Sequence, residues 1–590
     1  MCGIVGYIGK KNGAEIVVDG LKRLEYRGYD SWGLSAIIAG KLSSHKQVGK
    51  IGNFNLHQDL PKFSGQICIG HTRWATHGGV TKANSHPHLS CDGKIAVVHN
   101  GIVENFQSLK EKLEKKGHIF SSQTDTEVIA HLIEQEQKSK SFLEAVRSAL
   151  KKVEGSYAVA IINEKENKMI GARKGSPLVL GIGKDEYILG SDVPAFLKYT
   201  DKVIFLDEDE MVEIDADKNY YSISNINSGK KIKPKITKIS WSLEEAEKGG
   251  HPHFMIKEML EQPEVIKKTI ATEKAELEKA VRMINRAKNI YIVACGTALH
   301  AGIYGSYLLA LENKIMTQTV SAGELPYFGH LLKKDDLIIT VSQSGETADV
   351  LEAVKSGHKS GAKVLALVNV LGSSLMRTAD LSLLTKAGPE ICVLSTKAYT
   401  SQMAMFAMIS SALKNKSAKK DLQKIETNIK KILAKDQIQK VKKLSKKLAK
   451  AQNIYALGRG INYSNALESC LKIKEVSYIH AEGFAGGDLK HGPIALIEKG
   501  VPVIVFATND EYEKEIISNA MEVKARGAYV IGISPYNNPV FDEYFPVEPN
   551  HNLTPIASII YPQLMAYYIA LEKKLDPDKP RNLAKSVTVK

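Results

Sequence analysis

The chain opens Met1-Cys2-Gly3-Ile4-Val5-Gly6, so loss of the initiator methionine would leave a thiol and a free α-amine on one residue. A thiol with a pKa of about 8.5 and an amine of about 7.7–8.0 can exchange a proton directly or through one water, which makes such a residue a nucleophile with its own base for acyl transfer. Taken alone, Cys2 is also explained as a small core residue. Further polar clusters stand where strands should end: Tyr26-Arg27-Gly28-Tyr29-Asp30-Ser31, the run from Gly70 to Gly78, His99-Asn100-Gly101, and Thr124-Asp125-Thr126-Glu127. Asn-Gly is a common turn and Thr-x-x-Glu a helix cap, so each has a plain local reading. Together with Cys2 they supply a nucleophile, an oxyanion donor pair, a cation for a carboxylate and an anion for an ammonium, as acyl transfer from a small amino acid requires.

The second half carries different chemistry. Ser342-Gln343-Ser344-Gly345-Glu346-Thr347 follows an apolar run, Leu337 to Val341, and precedes a helical pattern. Hydroxyls and unpaired backbone N–H groups there suit an anion. No G-x-x-x-x-G-K-[ST] loop is present, so a nucleoside triphosphate is not indicated. Within the apolar helical stretch Ser464 to Tyr478, Glu468, Lys472 and Glu475 fall at i, i+4 and i+7 on one face. They are either a salt-bridged stripe or a base held in a pocket and tuned by a cation. His491 sits in a turn signal, Asp488 to Pro493, and Lys585 in the C-terminal segment.

Several domains are needed to position these groups, because 590 residues exceed what one hydrophobic core supports. Residues 1–225 alternate short β-rich runs (Ile67 to Ile69, Lys94 to His99, Tyr157 to Ile162, Val203 to Leu206) with helical patterns near 106–116 and 125–152, which predicts a layered α+β domain. Residues 226–250 turn rich in Ser, Asn, Lys and Gly and read as a linker. Beyond them helix and strand alternate, as in parallel α/β folds. The pattern repeats: Asn289-Ile290-Tyr291 and Asn453-Ile454-Tyr455 are 164 residues apart, and each opens a strand running into a glycine turn. Tandem α/β domains are therefore expected over 251–420 and 421–575, followed by a tail over 576–590.

Composition narrows the function. Apolar residues make up 43% and charged residues 25%, and no run approaches the ~18 apolar residues of a membrane span. With no secretion signal at the N-terminus, the expected location is the cytoplasm. The six cysteines form no C-x-x-C pair, which argues against a disulfide framework or a zinc site. The net charge of +15 comes from lysines dispersed over helical stretches without interleaved aromatics, so nucleic acid is not the expected partner.

Cys2-Gly3-Ile4-Val5-Gly6, the Arg73-Trp74-Ala75-Thr76-His77 loop, Asn100-Gly101 and Thr124-Asp125-Thr126-Glu127 resemble the class II, N-terminal-nucleophile glutamine amidotransferase domain. The second-half motifs, with Glu390 to Lys397 and Asn582 to Val589, resemble tandem sugar isomerase (SIS) domains, and the whole chain resembles the amidotransferases that aminate fructose 6-phosphate. The resemblance implies that Cys2 attacks the glutamine carboxamide and that Asn100 and Gly101 form the oxyanion hole. Arg73 would bind the substrate carboxylate and Asp125 its amine, Thr76 and His77 would help build the pocket, and Trp74 would gate it. It further implies that Ser342, Gln343, Ser344 and Thr347 bind the sugar phosphate with Thr297 nearby, and that Val393 and Ser395 line the sugar pocket. Lys585 would form a Schiff base with the open ketose, Glu475 would move a proton between C1 and C2, His491 would assist ring opening, and Lys472 would support the site electrostatically. L-glutamine and fructose 6-phosphate are the implied substrates, in the first step of UDP-N-acetylglucosamine synthesis. No cofactor or metal is implied, and the implied assembly is a homodimer. Two departures stand out: Ala298 where the family has a serine, and Asp488 where it has a glutamate. A sugar-phosphate sensor with a vestigial first domain is the rival from another class, and it predicts loss of Cys2 or Lys585; both are present. A deglycase-like enzyme acting on other amino sugars is the nearer rival.

Overall fold

A computed structural model describes residues 2–52, 54–239, 245, 247–508 and 510–588. The chain forms two compact units, Met1–Leu243 with Ala584–Lys590, and Glu244–Leu583.

The first unit is built on two antiparallel sheets of eight and seven strands. Side chains alternate between faces along a strand, and this sorts the core. From Gly3–Gly9, Ile4 and Ile8 point inward to meet Ala96 and Val98 of Ile95–Val103 and Ala158, Ala160 and Ile162 of Gly155–Asn163. Val5 and Tyr7 of the same strand point outward against helix Gly13–Arg23, whose glycines 13 and 20 leave room for them. On the far side Val97, Val159 and Ile161 pack against helices Phe106–Glu114, Glu127–Gln137 and Phe142–Leu150. The order is helix, sheet, sheet, helix, the layered α+β arrangement expected. The single helical stretch expected over 125–152 is two helices, parted at 138–141 where Ser141 turns extended (φ −61°, ψ 160°) before the second begins. Within the expected linker, Lys231–Ile232 and Thr237–Lys238 add edge strands to the two sheets, while residues 240–244 and 246 lie outside the described residues.

The second unit holds two five-stranded parallel sheets. In the first, Ile290–Ala294 lies between Gln318–Ser321 and Leu337–Ser342, with Lys363–Val368 and Leu381–Leu384 beyond. In the second, Asn453–Gly458 lies between His480–Ala485 and Pro502–Phe506, with Tyr529–Ser534 and Glu543–Pro546 beyond. Both therefore have the order 2-1-3-4-5, and in both the order reverses between the first and third strands. That is where open α/β sheets form a crevice at their carboxyl ends. Buried helices Gly296–Asn313, Lys397–Leu413, Tyr463–Ser477 and Ile560–Glu572 contribute to one core shared by the two sheets. Lysine-rich helices Lys419–Ile432 and Lys435–Leu448 turn Leu422, Ile425, Ile429, Val441 and Leu444 inward, so most of their lysines form a solvated face. No helix among the described residues is long and apolar enough to cross a membrane.

Candidate active sites

Cys2 immediately precedes strand Gly3–Gly9, which runs antiparallel to Ile67–Arg73 with Gly3 opposite Thr72. This register brings Cys2 beside the residues that leave the partner strand. The Trp74 N–H points at Cys2 Sγ (3.3 Å), and Sγ lies 3.6 Å from the Trp74 carbonyl oxygen. Gly28 makes that approach possible, since a Cβ there would lie 2.8 Å from the Arg73 carbonyl carbon and 2.9 Å from the Trp74 nitrogen. Asp30 fixes the same turn by donating its N–H to the Arg73 carbonyl (2.9 Å) and accepting the Ala75 N–H (2.8 Å). Burial pushes the Cys2 thiol above its ordinary value, against the Trp74 N–H and the charges of Arg73 and Arg27, so the nucleophile needs a base.

The oxyanion donors come from the other sheet. Asn100 Nδ2 donates to the Cys2 carbonyl oxygen (2.9 Å), while its Oδ1 lies 3.0 Å from His71 Nε2, which also lies 2.9 Å from the His99 carbonyl. Two acceptors facing one ring nitrogen place the proton on Nε2. Burial holds the His71 pKa down at about 3, so the ring is neutral and keeps the Asn100 amide turned toward Cys2. Gly101 is required by space and conformation alike: its φ is +141°, and a Cβ would lie 2.0 Å from the Ser156 carbonyl oxygen.

Arg73 is buried, and Cys2, Asp30 and Asp125 all act on its charge. Its guanidinium donates to the carbonyls of Gly79 (3.2 Å), Gly78 (3.2 Å) and His77, folding the loop after Trp74 over the cation. Asp125 is buried and accepts the Val103 N–H (2.7 Å), tying the start of helix Glu127–Gln137 to the strand that carries Asn100 and Gly101. On the loop, Thr76 is exposed and His77 is half-buried with its ring edge-on to Phe106. Sequence reasoning missed His71 as the residue that orients Asn100; only the packing of the two sheets face to face reveals it.

In the second unit, helix Tyr463–Ser477 presents its charged stripe to the start of helix Gly296–Asn313. Lys472 is fully buried, with Nζ 2.7 Å from Glu475, 3.3 Å from Glu468 and 2.9 Å from Thr297 Oγ1. Burial opposes the charge of Lys472, but the two carboxylates outweigh it and hold its pKa above the usual lysine value. Glu468 also accepts from Thr297 Oγ1 (3.0 Å) and pairs with His300 Nδ1 (2.7 Å). Glu475 retains partial exposure, 20% of its side chain, whereas Glu468 has none. The stripe is thus salt-bridged and also has one carboxylate open to solvent. His300 was not legible as a member, because a lone histidine at a helix start carries no pattern.

The loop after Leu337–Ser342 lies at the switch point of its sheet. Gly345 has φ +66°, and a Cβ would lie 2.2 Å from Ser373 Oγ, so only glycine permits the turn. Ser342 Oγ accepts the Gly345 N–H (3.0 Å) and Ser344 Oγ the Glu346 N–H (3.2 Å), and Thr347 precedes helix Ala348–Ser360 without a side-chain cap. Gln343 and Ser344 are half-buried at the rim. The corresponding turn of the second sheet contains Thr508 and Asp510, which Asn462 Nδ2 bonds at 2.7 and 2.6 Å. There the chain's own carboxylate occupies the switch point.

Glu390 organises the segment after Leu381–Leu384, accepting the N–H groups of Thr396 (2.9 Å) and Ala398 (3.0 Å) and the Ser395 hydroxyl (2.7 Å). Val393 is buried, and its N–H reaches the Asp578 carbonyl (3.4 Å); the Asp578 side chain accepts from Phe254 and Met255 (both 2.8 Å). Ala298 packs against the core, and exposed Asp488 starts the turn Leu489–His491, which buries Leu489 and exposes Lys490 and His491. His491 is exposed, and Lys585 is half-buried in the terminal segment that groups with the first unit.

A layered domain with a thiol at residue 2, followed by two switch-point sheets of which the first carries a hydroxyl-rich turn, fits a glutamine amidotransferase coupled to sugar-isomerase domains. The family described as glutamine amidotransferase domain matches residues 71–198, and that described as SIS domain matches 283–412 and 447–573. Glutamine–fructose-6-phosphate aminotransferase (isomerizing) of Thermococcus kodakarensis is 46% identical over 603 residues, and that of Methanothermobacter thermautotrophicus 43% over 598; each comparison covers 100% of both chains. The solved C-terminal domain of glucosamine-fructose-6-phosphate aminotransferase from Francisella tularensis is 33% identical with a TM-score of 0.53, covering 56% of this chain and 99% of that one. The chain belongs to the glutamine–fructose-6-phosphate aminotransferase (isomerizing) family.

Proposed function

We infer that the chain converts L-glutamine and fructose 6-phosphate to L-glutamate and glucosamine 6-phosphate. The observation that carries this reading is the convergence at Cys2, where a half-buried thiol and the Asn100 amide, held by a neutral His71, meet beside the Gly101 turn. After removal of Met1, which lies outside the described residues, the α-amine of Cys2 takes the thiol proton. Sγ attacks the glutamine carboxamide, Asn100 and Gly101 N–H groups stabilise the oxyanion, and collapse expels ammonia and leaves a thioester that water hydrolyses. Arg73 and Asp125 hold the substrate carboxylate and amine, Thr76 and His77 shape the pocket, and Trp74 closes it.

In the second unit Ser342, Gln343, Ser344 and Thr347 hold the sugar phosphate, with Thr297, Val393 and Ser395 around the sugar. His491 assists ring opening, and its exposure suits action in the partner's site of a homodimer. Lys585 condenses with the open ketose, and ammonia displaces it as the C2 imine. Glu475 then removes a proton from C1 and delivers it to C2, while the C1 hydroxyl gives up its proton and the imine nitrogen gains one, leaving an aldehyde at C1 and an amine at C2. Lys472, 2.7 Å from Glu475, supports the site electrostatically. On this reading residues 1–225 carry the glutaminase chemistry, 251–420 and 421–575 are the two sugar-isomerase domains, the tail 576–590 completes the sugar site, and the enzyme acts in the cytoplasm without nucleic acid or a membrane. Incubating purified protein with glutamine and fructose 6-phosphate tests the reading: glucosamine 6-phosphate is expected, and its absence would overturn it.

A further inference from the structure

Away from the proposed glutamine pocket, the first unit brings together four side chains that the proposed chemistry does not use. Cys91 lies in the turn before strand Ile95–Val103, His118 follows helix Phe106–Glu114, and His131 and Glu134 lie one turn apart on helix Glu127–Gln137. Their donor atoms all lie within 4.8 Å of one another. Cys91 Sγ is 3.5 Å from His118 Nδ1 and 3.3 Å from His131 Nδ1, and Glu134 Oε2 is 3.1 Å from His118 Nδ1 and 3.7 Å from His131 Nδ1. A tetrahedral zinc with bonds of about 2.3 Å to sulfur and 2.0–2.1 Å to nitrogen or oxygen sets ligand-to-ligand edges of about 3.3–3.6 Å. The four measured edges scatter about that range.

The surroundings also suit a metal. Both histidines converge through Nδ1, with Nε2 on the far side of each ring: His118 Nε2 meets Gln135 Oε1 (3.3 Å), and buried His131 Nε2 lies 3.5 Å from Glu127 Oε1 without a hydrogen bond. Metal-bound histidines are oriented in this way by the groups behind them. The Ile119 N–H points at Cys91 Sγ (3.4 Å), as a donor to a thiolate would, and Glu134 is held by the N–H groups of Cys91 and Asp92. Both imidazoles are buried, while Cys91 is exposed at the entrance.

We propose that Cys91, His118, His131 and Glu134 form a structural zinc site in the first unit. Binding releases the thiol proton and closes the coordination with four protein ligands, leaving no position for a substrate. The ion clamps the Cys91 turn and the His118 loop to helix Glu127–Gln137. Through His131 it braces Glu127, which accepts from Ser121 and Ser122 and lies two residues from Asp125. The C-x-x-C criterion misses such a site because its ligands are spread over 44 residues and only the fold assembles them.

The test is metal content of the full chain, produced with zinc and purified without chelator. One zinc per chain is expected, retained by Cys295→Ser and lost by Cys91→Ser and by His131→Gln. Chelator-stripped wild-type chain, titrated with Co(II), separates loss of the site from misfolding of a variant: a thiolate-to-cobalt charge-transfer band with tetrahedral d–d absorption is expected. A zinc-free wild-type chain that gives no such band, or undiminished zinc in Cys91→Ser, would overturn the proposal.

Discussion

The two parallel sheets of the second unit share strand order and crevice position yet differ in what fills the crevice. In the first, the turn from Ser342 to Thr347 presents hydroxyls, and its backbone turns through a glycine with positive φ. In the second, Asp510 sits in the equivalent turn and Asn462 bonds it, so an anion is already supplied by the chain. The second copy contributes instead through helix Tyr463–Ser477, which carries Lys472 and Glu475 to Thr297 of the first. On the proposed function one copy holds the phosphate and the other supplies acid–base groups; a shared fold is a scaffold, and the turn residues decide its use.

The largest expected effects separate the two chemistries. Cys2→Ala should lower glutamine hydrolysis by about 10⁴-fold or more while sugar isomerisation survives, read by glutamate release and by aldose formation. Equal loss of both would mean that the two chemistries are not separable. Glu475→Gln should do the converse, lowering isomerisation by about 10²–10⁴-fold with hydrolysis of glutamine retained. Lys472→Met leaves the buried Glu468 and the part-buried Glu475 without their shared cation and should cost about 3–5 kcal/mol of stability, measured by denaturant unfolding; a cost below 1 kcal/mol would mean the triad is solvated. The smallest effects bear on the two crevices. Ser344→Ala should raise the KM for fructose 6-phosphate severalfold, about 1 kcal/mol of binding, whereas Asp510→Asn should leave it unchanged. A matching rise in Asp510→Asn would put the phosphate in the wrong copy.

A pH-dependence expectation follows for the first unit. Burial holds His71 down at about 3 and pushes His86 and His88 well below the ordinary imidazole value of about 6.5, so the unfolded chain binds protons that the folded unit refuses. The first unit should therefore lose stability as pH falls below about 6.5. Trp32 and Trp74 both lie in this unit, so their fluorescence follows its unfolding. A midpoint independent of pH between 7 and 5 would contradict the buried neutral cluster.

Much of this was legible in the sequence because strand and helix periods are local. The strands near 67, 95 and 157, the repeat from Asn289 to Asn453 and the stripe on Tyr463–Ser477 all lie where the pattern puts them. The break at 138–141 was obscured by the apolar residues on both sides, which continue one helical period. What could not be read is what depends on contacts between distant segments. His71 gains a meaning only when strand Ile67–Arg73 lies beside Asn100, and Glu468 joins Thr297 and His300 only when two helices 171 residues apart meet. The cluster at Cys91 is invisible to a search for paired cysteines for the same reason.

The central claim of the proposed function is that the ammonia released at Cys2 is the nitrogen that reaches the sugar, without first mixing with bulk water, which would protonate it. Turnover of glutamine labelled with ¹⁵N in its amide, in the presence of excess unlabelled ammonium, measures this directly. The account predicts glucosamine 6-phosphate carrying ¹⁵N undiluted by the bulk pool. Product that carries the isotope ratio of the medium would contradict it.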